Sequence, residues 1–522
     1  MKYKTCLGAV ALILFSNFGF SQVDGSLVGL SQEALTKNAV LKRNILAVKN
    51  AEADLQVQQS TFDYNLLSDL TYQRAGYRLF ESDPRNQYLD KILKTNDWDF
   101  NGVLQKKLRT SQILEVGANY GFNNNNVPFN SYSQPIPVFR GDYSGTLNFS
   151  VTQPLLRGRG KNITTIPERT SELIVEMVKD QNIYAASNEL LQISSAYWNY
   201  YNAYQSLDIY RQNEARVRRV LDMTAELVKA DKKPSGDLVQ IQADLANQEK
   251  LTIQATQNLF NSQTVLGSVV GIDEISSRKI SAPLDNYPTI EDSGFNSNLN
   301  ISDLVNMAIE NRADLSALDK NMQVLELQNE LAENNLKPVL DLTGFAFYGN
   351  TSQGNGKIFQ PSSLFNSEGR YIGGGAKLTF NFALNNNLAK GNYAKTQIAI
   401  ADQNVVKENL RRIIELNISN AANNLTSSAN AMQKSRQALD DYRLAFENEQ
   451  AKFQTGLTTL LNVILFQERL TAAELDYLKT QRDYALAIIN LRHETGTLFS
   501  RKNEVLSINR NSFYTIPSIN NQ

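Results

Sequence analysis

The sequence predicts an α+β chain made of two similar halves, each reading helix, strands, very long helix, turn, return helix. Three observations predict it. A helical segment ending in a strand occupies residues 31–74 and again about 302–348, and a helical hairpin at about 165–271 returns at about 391–496. Several stretches of about ten residues alternate apolar with polar, and two stretches of more than sixty lack internal Gly and Pro apart from Pro167. On the return arms an offset of 225 aligns Gln242 with Gln467, Leu245 with Leu470, Glu249 with Glu474, Leu266 with Leu491 and Gly271 with Gly496. Self-similarity at this scale sets the architecture before any single residue is weighed.

The chain opens MKYKTCLGAVALILFSNFGFSQ. Lys2 and Lys4 form a basic region, Cys6–Phe15 an apolar one, and Ser16–Gln22 a small and polar flank. This predicts a secretory signal peptide over residues 1–22, too short to be a membrane helix and cut near Ser21 or Gln22. Cys6 is poorly placed for lipidation, and its loss leaves a mature chain without cysteine. A secreted chain with no disulfides must rely on packing, length or oligomerisation. Without Lys2 and Lys4, 50 basic residues face 53 acidic ones, a net charge of −3. That balance argues against nucleic acid as a partner. After the signal no apolar run approaches the ~18 residues of a spanning helix, so any membrane crossing must use strands. An apolar content of 42% with a mean hydropathy of −0.36 suits long, wet helices.

The elements follow in order. Leu35, Ala39, Ile45, Val48, Ala51 and Leu55 predict a helix over 31–59. Strands are expected at about 64–74, 98–108, 112–123 and 142–153, the middle two as a hairpin turning at Arg109–Gln112. Loops are expected around Asp83-Pro84 and over 123–141. In the clearest strand Tyr143, Gly145, Leu147, Phe149 and Val151 take one face, and Ser144, Thr146, Asn148, Ser150 and Thr152 the other. Ten residues of this alternation suit a transmembrane barrel strand, or a soluble sandwich strand with one wet face. The hairpin 165–271 descends from Thr165 to Lys232, about 68 residues or roughly 100 Å as one helix. It turns at Asp231–Gly236 and ends at Gly271. Residues 272–300 read as an irregular linker.

In the second half, strands are expected at about 339–349 and 371–383, separated by a Gly/Asn/Ser/Pro loop over 349–370. Ile372, Gly374, Ala376, Leu378, Phe380 and Phe382 share one face of the latter strand. The hairpin 391–496 turns at Gln454–Thr458, and 497–522 is polar and irregular. Helices this long imply a coiled coil, a helical repeat or a tube.

Catalytic signals are weak. His493 is the sole histidine, and one His without Cys makes no N/S zinc site. No nucleophile motif lies near it, and a place at a helix C-terminus explains it. Gly373-Gly-Gly375 lies inside a strand with no following Lys-Ser/Thr, so it is no phosphate loop. Arg157-Gly-Arg-Gly-Lys161 is a short basic run at a strand-to-helix junction. Tyr197, Trp198, Tyr200, Tyr201 and Tyr204 read as interhelix packing. The expectation is a non-enzyme with no cofactor and no metal.

The two-fold repeat, Gln153-Pro-Leu-Leu156 closing a strand region, Gly456-Leu-Thr-Thr-Leu-Leu-Asn-Val463 at a hairpin tip, and returns ending in Gly271 and Gly496 make the chain resemble the outer-membrane efflux protein (TolC) family. The order and spacing of these features carry the resemblance over nearly the whole mature chain. It implies a homotrimer whose strands close one outer-membrane β-barrel, in contact with lipid, continuous with a long periplasmic α-helical tube. The first repeat would span 23–271 and the second 301–496, with 272–300 and 497–522 packed as an equatorial collar. The implied function is a passive exit duct in tripartite efflux or type I secretion. An inner-membrane pump (RND or ABC type) would supply cargo through a periplasmic adaptor.

The chain departs from the family pattern in its extra hairpin, Trp98–Phe122. With four strands per chain the trimer has twelve and the hairpin lies outside the membrane; with six it has eighteen. The family often rings its narrow aperture with acids just after the helical tip. Asp237 matches that position and its counterpart is Asn462, so Asp231, Asp237, Thr458 and Asn462 are the aperture and adaptor-docking candidates. The competing reading of Asp237 is a helix N-cap or first-turn carboxylate. The competing reading of the whole chain is a periplasmic coiled-coil adaptor or scaffold without a membrane span. Cargo and pump class are not legible.

Overall fold

The computed structural model describes residues 25–87, 89–126, 141–296, 299–353, 358, 369–502 and 505–517. The signal peptide expected over 1–22 lies outside them, as do parts of the loops expected over 123–141 and 349–370. The chain forms two compact units, each drawn from both halves of the sequence. One comprises residues up to 45, 182–313 and 410–522; the other comprises 46–181 and 314–409.

The second unit holds six strands: β1 (Tyr64–Arg78), β2 (Ile92–Lys107), β3 (Ile113–Asn125), β4 (Asp142–Pro154), β5 (Val339–Gln353) and β6 (Arg370–Asn381). They form one antiparallel sheet in that order. The β2–β3 hairpin is therefore inserted between β1 and β4, and β4 pairs directly with β5, Leu147 opposite Tyr348. Backbone pairing carries β1 to Arg78 opposite Ile92, so β2 begins six residues before the expected Trp98. Alternation had faded there, but ladder hydrogen bonds do not depend on side-chain type. The β2–β3 turn is closed by Leu108 N–H to Gln112 O at 2.7 Å, with Ser111 at φ +86.

The helices are α1 (Leu27–Lys37), α2 (Ala39–Gln59), α3 (Lys161–Thr164), α4 (Ile166–Lys229), α5 (Gly236–Val270), α6 (Glu274–Ser277), α7 (Ile301–Asn311), α8 (Ala313–Asn334), α9 (Asn387–Gln454) and α10 (Leu460–Glu494). None among the described residues is long and apolar enough to cross a membrane. The single helix expected over 31–59 is instead two. Asn38 is extended, and its side-chain oxygen accepts the N–H groups of Val40 and Leu41, capping α2. Its amide group donates to Val269 O at 2.8 Å. An equivalent break separates α7 from α8 at Arg312, with φ −72 and ψ 120.

In the first unit the helix spacing is that of a coiled coil. Ile418, Leu425, Met432, Leu439, Phe446 and Phe453 recur every seven residues along α9, and all are buried. Val463, Leu470, Tyr484 and Leu491 keep the same period along α10. A core at one end joins α9 and α10 to Val217, Val220 and Ile241 of α4 and α5. Another gathers Leu27 and Leu30 of α1, Tyr197 and Trp198 of α4, and Phe513. Each fully buried side chain of this size contributes about 1.5–3 kcal/mol. The C-terminal segment is less irregular than expected. It forms a small hairpin, β7 (Ser500–Lys502) with β8 (Val505–Ser507), followed by a 3-10 turn that anchors Phe513.

Candidate functional sites: a two-faced sheet and the hairpin tips

Directly opposed residues of an antiparallel ladder share a face. Tyr72, Trp98, Phe122 and Tyr143 align across β1 to β4, and Leu66, Leu104, Val116 and Phe149 align further along. The same face carries Tyr348 of β5, opposite Leu147 of β4 and Ile372 of β6, and Leu342, opposite Leu378. Much of this apolar face is exposed, Leu66 at 73% and Ile372 at 82%, while Phe122 and Tyr143 are buried. The other face is polar and internally bonded. Asn101 donates to Asp69 at 3.0 Å, Gln105 to Glu115 at 2.7 Å, and Ser150 to Glu115 at 3.1 Å. Thr152 and Thr343 meet at 2.9 Å. Leu67 and Ser68, which break the alternation, place an apolar side chain on the polar face and a hydroxyl on the apolar one. A sheet with one largely exposed apolar face and one polar face suits contact with lipid on one side and water on the other.

The strand-to-helix junction is pinned by charge. Arg109, in the β2–β3 turn, forks onto Glu168 of the first turn of α4 at 2.7 and 2.9 Å. Those bonds hold the Glu168 carboxyl below its ordinary range. The basic run is tied to the end of α8, since Gly158 N–H donates to Asn334 and Arg157 to Asn335.

In the first unit the two hairpin tips meet. The first turn places Asp231 in the left-handed region at φ +54, exposed. Asp237 is half-buried in the first turn of α5, and its carboxylate has no hydrogen-bond or ion-pair partner among the described residues. It does not cap the helix; Ser235 occupies that position, without a side-chain bond. The acid still faces the positive end of the dipole. The second tip is a chain of polar contacts. Thr459 caps α10 by accepting from Asn462 N–H, Asn462 donates to Thr458 Oγ1 at 3.0 Å, and Thr458 Oγ1 donates to Glu449 at 2.9 Å. Hydrogen bonds from Lys452 and Thr458 lower the Glu449 carboxyl. Lys233 joins the tips. Its ammonium donates to Thr458 O at 3.2 Å and lies 4.8 Å from the centre of the Phe453 ring.

Of the four candidates, Thr458 and Asn462 are thus brought together, while Asp231 and Asp237 stand on the other tip. Lys233, Glu449 and Lys452 were not singled out in the sequence. Lys233 and Thr458 are 225 residues apart, and no motif marks the contact.

The remaining sequence features are packed. His493 is buried in the last turn of α10, its Nδ1 2.9 Å from Ser187 Oγ. Beside it Arg312 donates to Glu494 at 2.8 Å, and His493, Ser187 and Arg312 line a cavity of about 240 Å³ with Ile183 and Tyr184. Trp198 stacks on Tyr287 at 5.0 Å, and Tyr197 donates to buried Asp285 at 2.8 Å. Burial, with Asp285 beside it, pushes the Tyr197 hydroxyl far above the tyrosine range. Tyr200 and Tyr201 are also buried, whereas Tyr204 is partly exposed.

Known proteins share this architecture. The outer-membrane channel OprN matches with a TM-score of 0.63 at 12% identity, covering 90% of each chain. CmeC, an outer membrane channel of Campylobacter jejuni, matches with a TM-score of 0.63 at 13% identity, covering 90% of this chain and 85% of that one. VceC, an outer membrane protein of Vibrio cholerae, matches with a TM-score of 0.61 at 15% identity, covering 90% and 96%. No curated protein matches by sequence. The fold is the one these outer-membrane channels share. Residues 304–497 match the outer membrane efflux protein family model, which supports the family resemblance read from the sequence over that part of the chain.

Proposed function

We propose that this chain is the outer-membrane duct of a tripartite efflux or type I secretion system. It would work as a homotrimer, with an eighteen-stranded barrel and a periplasmic helical tube. The observation that carries the reading is the sheet of six strands, apolar on one face and polar on the other, with β1 and β6 unpaired on their outer edges. An open edge is not tolerated in hydrocarbon, and three copies joined β6 to β1 would remove every edge. Because the β2–β3 hairpin lies inside this sheet, excluding it would separate β1 from β4, which favours eighteen strands over twelve. The duct supplies no energy; a pump and a periplasmic adaptor would. Docking of that adaptor would release the tips by parting Lys233 from Thr458.

Single-channel recording of the purified mature protein in planar bilayers tests this, beside its mass in detergent. Discrete channels from a species of three chains are expected. A water-soluble species without channels would sink the duct and promote the adaptor or scaffold reading.

A further inference from the structure

Of the aromatic rings that interrupt the polar face of the sheet, three on β5 and β6 each sit on a glycine of the neighbouring strand, whereas Tyr77 of β1 lies opposite Leu93. Phe345 lies opposite Gly375, Phe347 opposite Gly373, and Tyr371 opposite Gly349. A Cβ on Gly375 would come within 2.9 Å of Phe345 Cζ, and one on Gly373 or Gly349 would overlap the Phe347 or Tyr371 ring outright. The rings are therefore laid along β5 and β6 instead of standing away from them. Thr146 holds the Tyr371 hydroxyl at 2.8 Å, and the Phe347 and Tyr371 ring centres are 6.1 Å apart. Phe345 remains 40% exposed. A ring laid on glycine steadies a strand pair. It also leaves a π face open for stacking.

The charge around these rings is uneven. The register puts Asp69, Asp97, Asp99, Glu115 and Asp341 on the same face, against Lys107 and Lys377. None of the five acids forms an ion pair among the described residues. Glu115 shares the cross-strand row of Phe345, through Ser150, about 10 Å away at the usual strand spacing. Lys377 lies two residues from Gly375 on the other side, opposite Thr343. A ligand stacked on Phe345 would thus meet a carboxylate on one side and an ammonium on the other.

We propose that Phe345, Phe347 and Tyr371 form a contact site for planar aromatic cations, with the ligand ring stacked on the phenylalanines and its charge toward Glu115. Ring faces attract cations, and an unpaired acidic surface complements them. The site rests on the duct reading, and makes the sheet a selective part of it.

The test is block of single-channel current by ethidium, a planar aromatic cation, beside fluorescein, an aromatic anion, and tetraethylammonium, a cation without rings. Ethidium is expected to block wild type at concentrations where the other two leave the current unchanged. Phe345→Leu with Phe347→Leu keeps apolar bulk and removes the rings; it should raise the half-blocking concentration about tenfold. Glu115→Gln should raise it about threefold. Equal block by tetraethylammonium, or an unshifted double variant, overturns the site. If the double variant forms no channels, the comparison of the three probes on wild type still decides. Ethidium fluorescence on the detergent-solubilised protein reads the site without conduction. A response that depends on the two phenylalanines, in a protein that forms no channels, would keep the site and sink the duct. Channels with no such dependence would do the reverse.

Discussion

Gly496 sits on the backbone of Arg312. With φ at +68, a Cβ on it would come within 3.0 Å of Arg312 N and 2.9 Å of Asn311 C. Gly271, at φ +87, bears the same relation to Asn38, where the added carbon would lie 2.9 Å from Cα. Each left-handed glycine ends a return helix and admits the break between two short helices.

Gly496→Ala combines a disfavoured φ with a clash against backbone, which cannot move as a side-chain tip can. A loss of about 2 kcal/mol is expected, and Gly271→Ala should cost as much. Thermal unfolding in detergent reads both. A variant as stable as wild type would show that the break can shift to make room.

The Arg109–Glu168 pair gives the junction a pH dependence. Glu168 is depressed in the folded chain, so its contribution is present above the unfolded carboxylate pKa and lost as pH falls through the folded one. Arg109→Gln should remove most of that slope below about pH 4.5, read by unfolding midpoints at pH 3 to 7. An unchanged slope would place the acid sensitivity elsewhere.

Lys233→Met removes the donor to Thr458 O and keeps the stem. Longer open times are expected in single-channel records, with fold stability within about 0.5 kcal/mol of wild type. Unchanged gating would return Lys233 to ordinary packing on Phe453.

Asp237→Ala separates two roles for one carboxylate. As an aperture acid its loss relieves divalent-cation block. As a first-turn acid it costs only about 0.3–1 kcal/mol of helix stability. Relief of block is the expected outcome, and a record identical to wild type would leave only the dipole role.

Phe453→Ala empties a fully buried heptad position beneath Lys233. A loss of about 3–5 kcal/mol is expected from denaturant unfolding, with Phe453→Leu recovering most of it.

Much of the fold was legible because its signals are local. Tyr143 to Thr152 alternate with period two, and the long stretches without Gly or Pro marked the long helices, each pattern readable within one element. Gly271 and Gly496 announced helix ends by residue type. The breaks at Asn38 and Arg312 were hidden, because apolar periodicity runs through both and only the caps and distant glycines settle them. The candidate site was half legible. Thr458 and Asn462 lie together, but Lys233 and Glu449 have no motif, and nothing local points a lysine at a carbonyl 225 residues away.

The sequence by itself determined which residues share a strand face, where the helices turn and which glycines end them. Side-chain periodicity and backbone preference act over a few residues and survive in any context. Only the tertiary structure decided that the β2–β3 hairpin lies between β1 and β4, that β4 pairs with β5, and that aromatic rings of β5 and β6 rest on cross-strand glycines. Those are choices of partner. Backbone hydrogen bonds are the same for every partner, so the choice falls to the fit of whole elements.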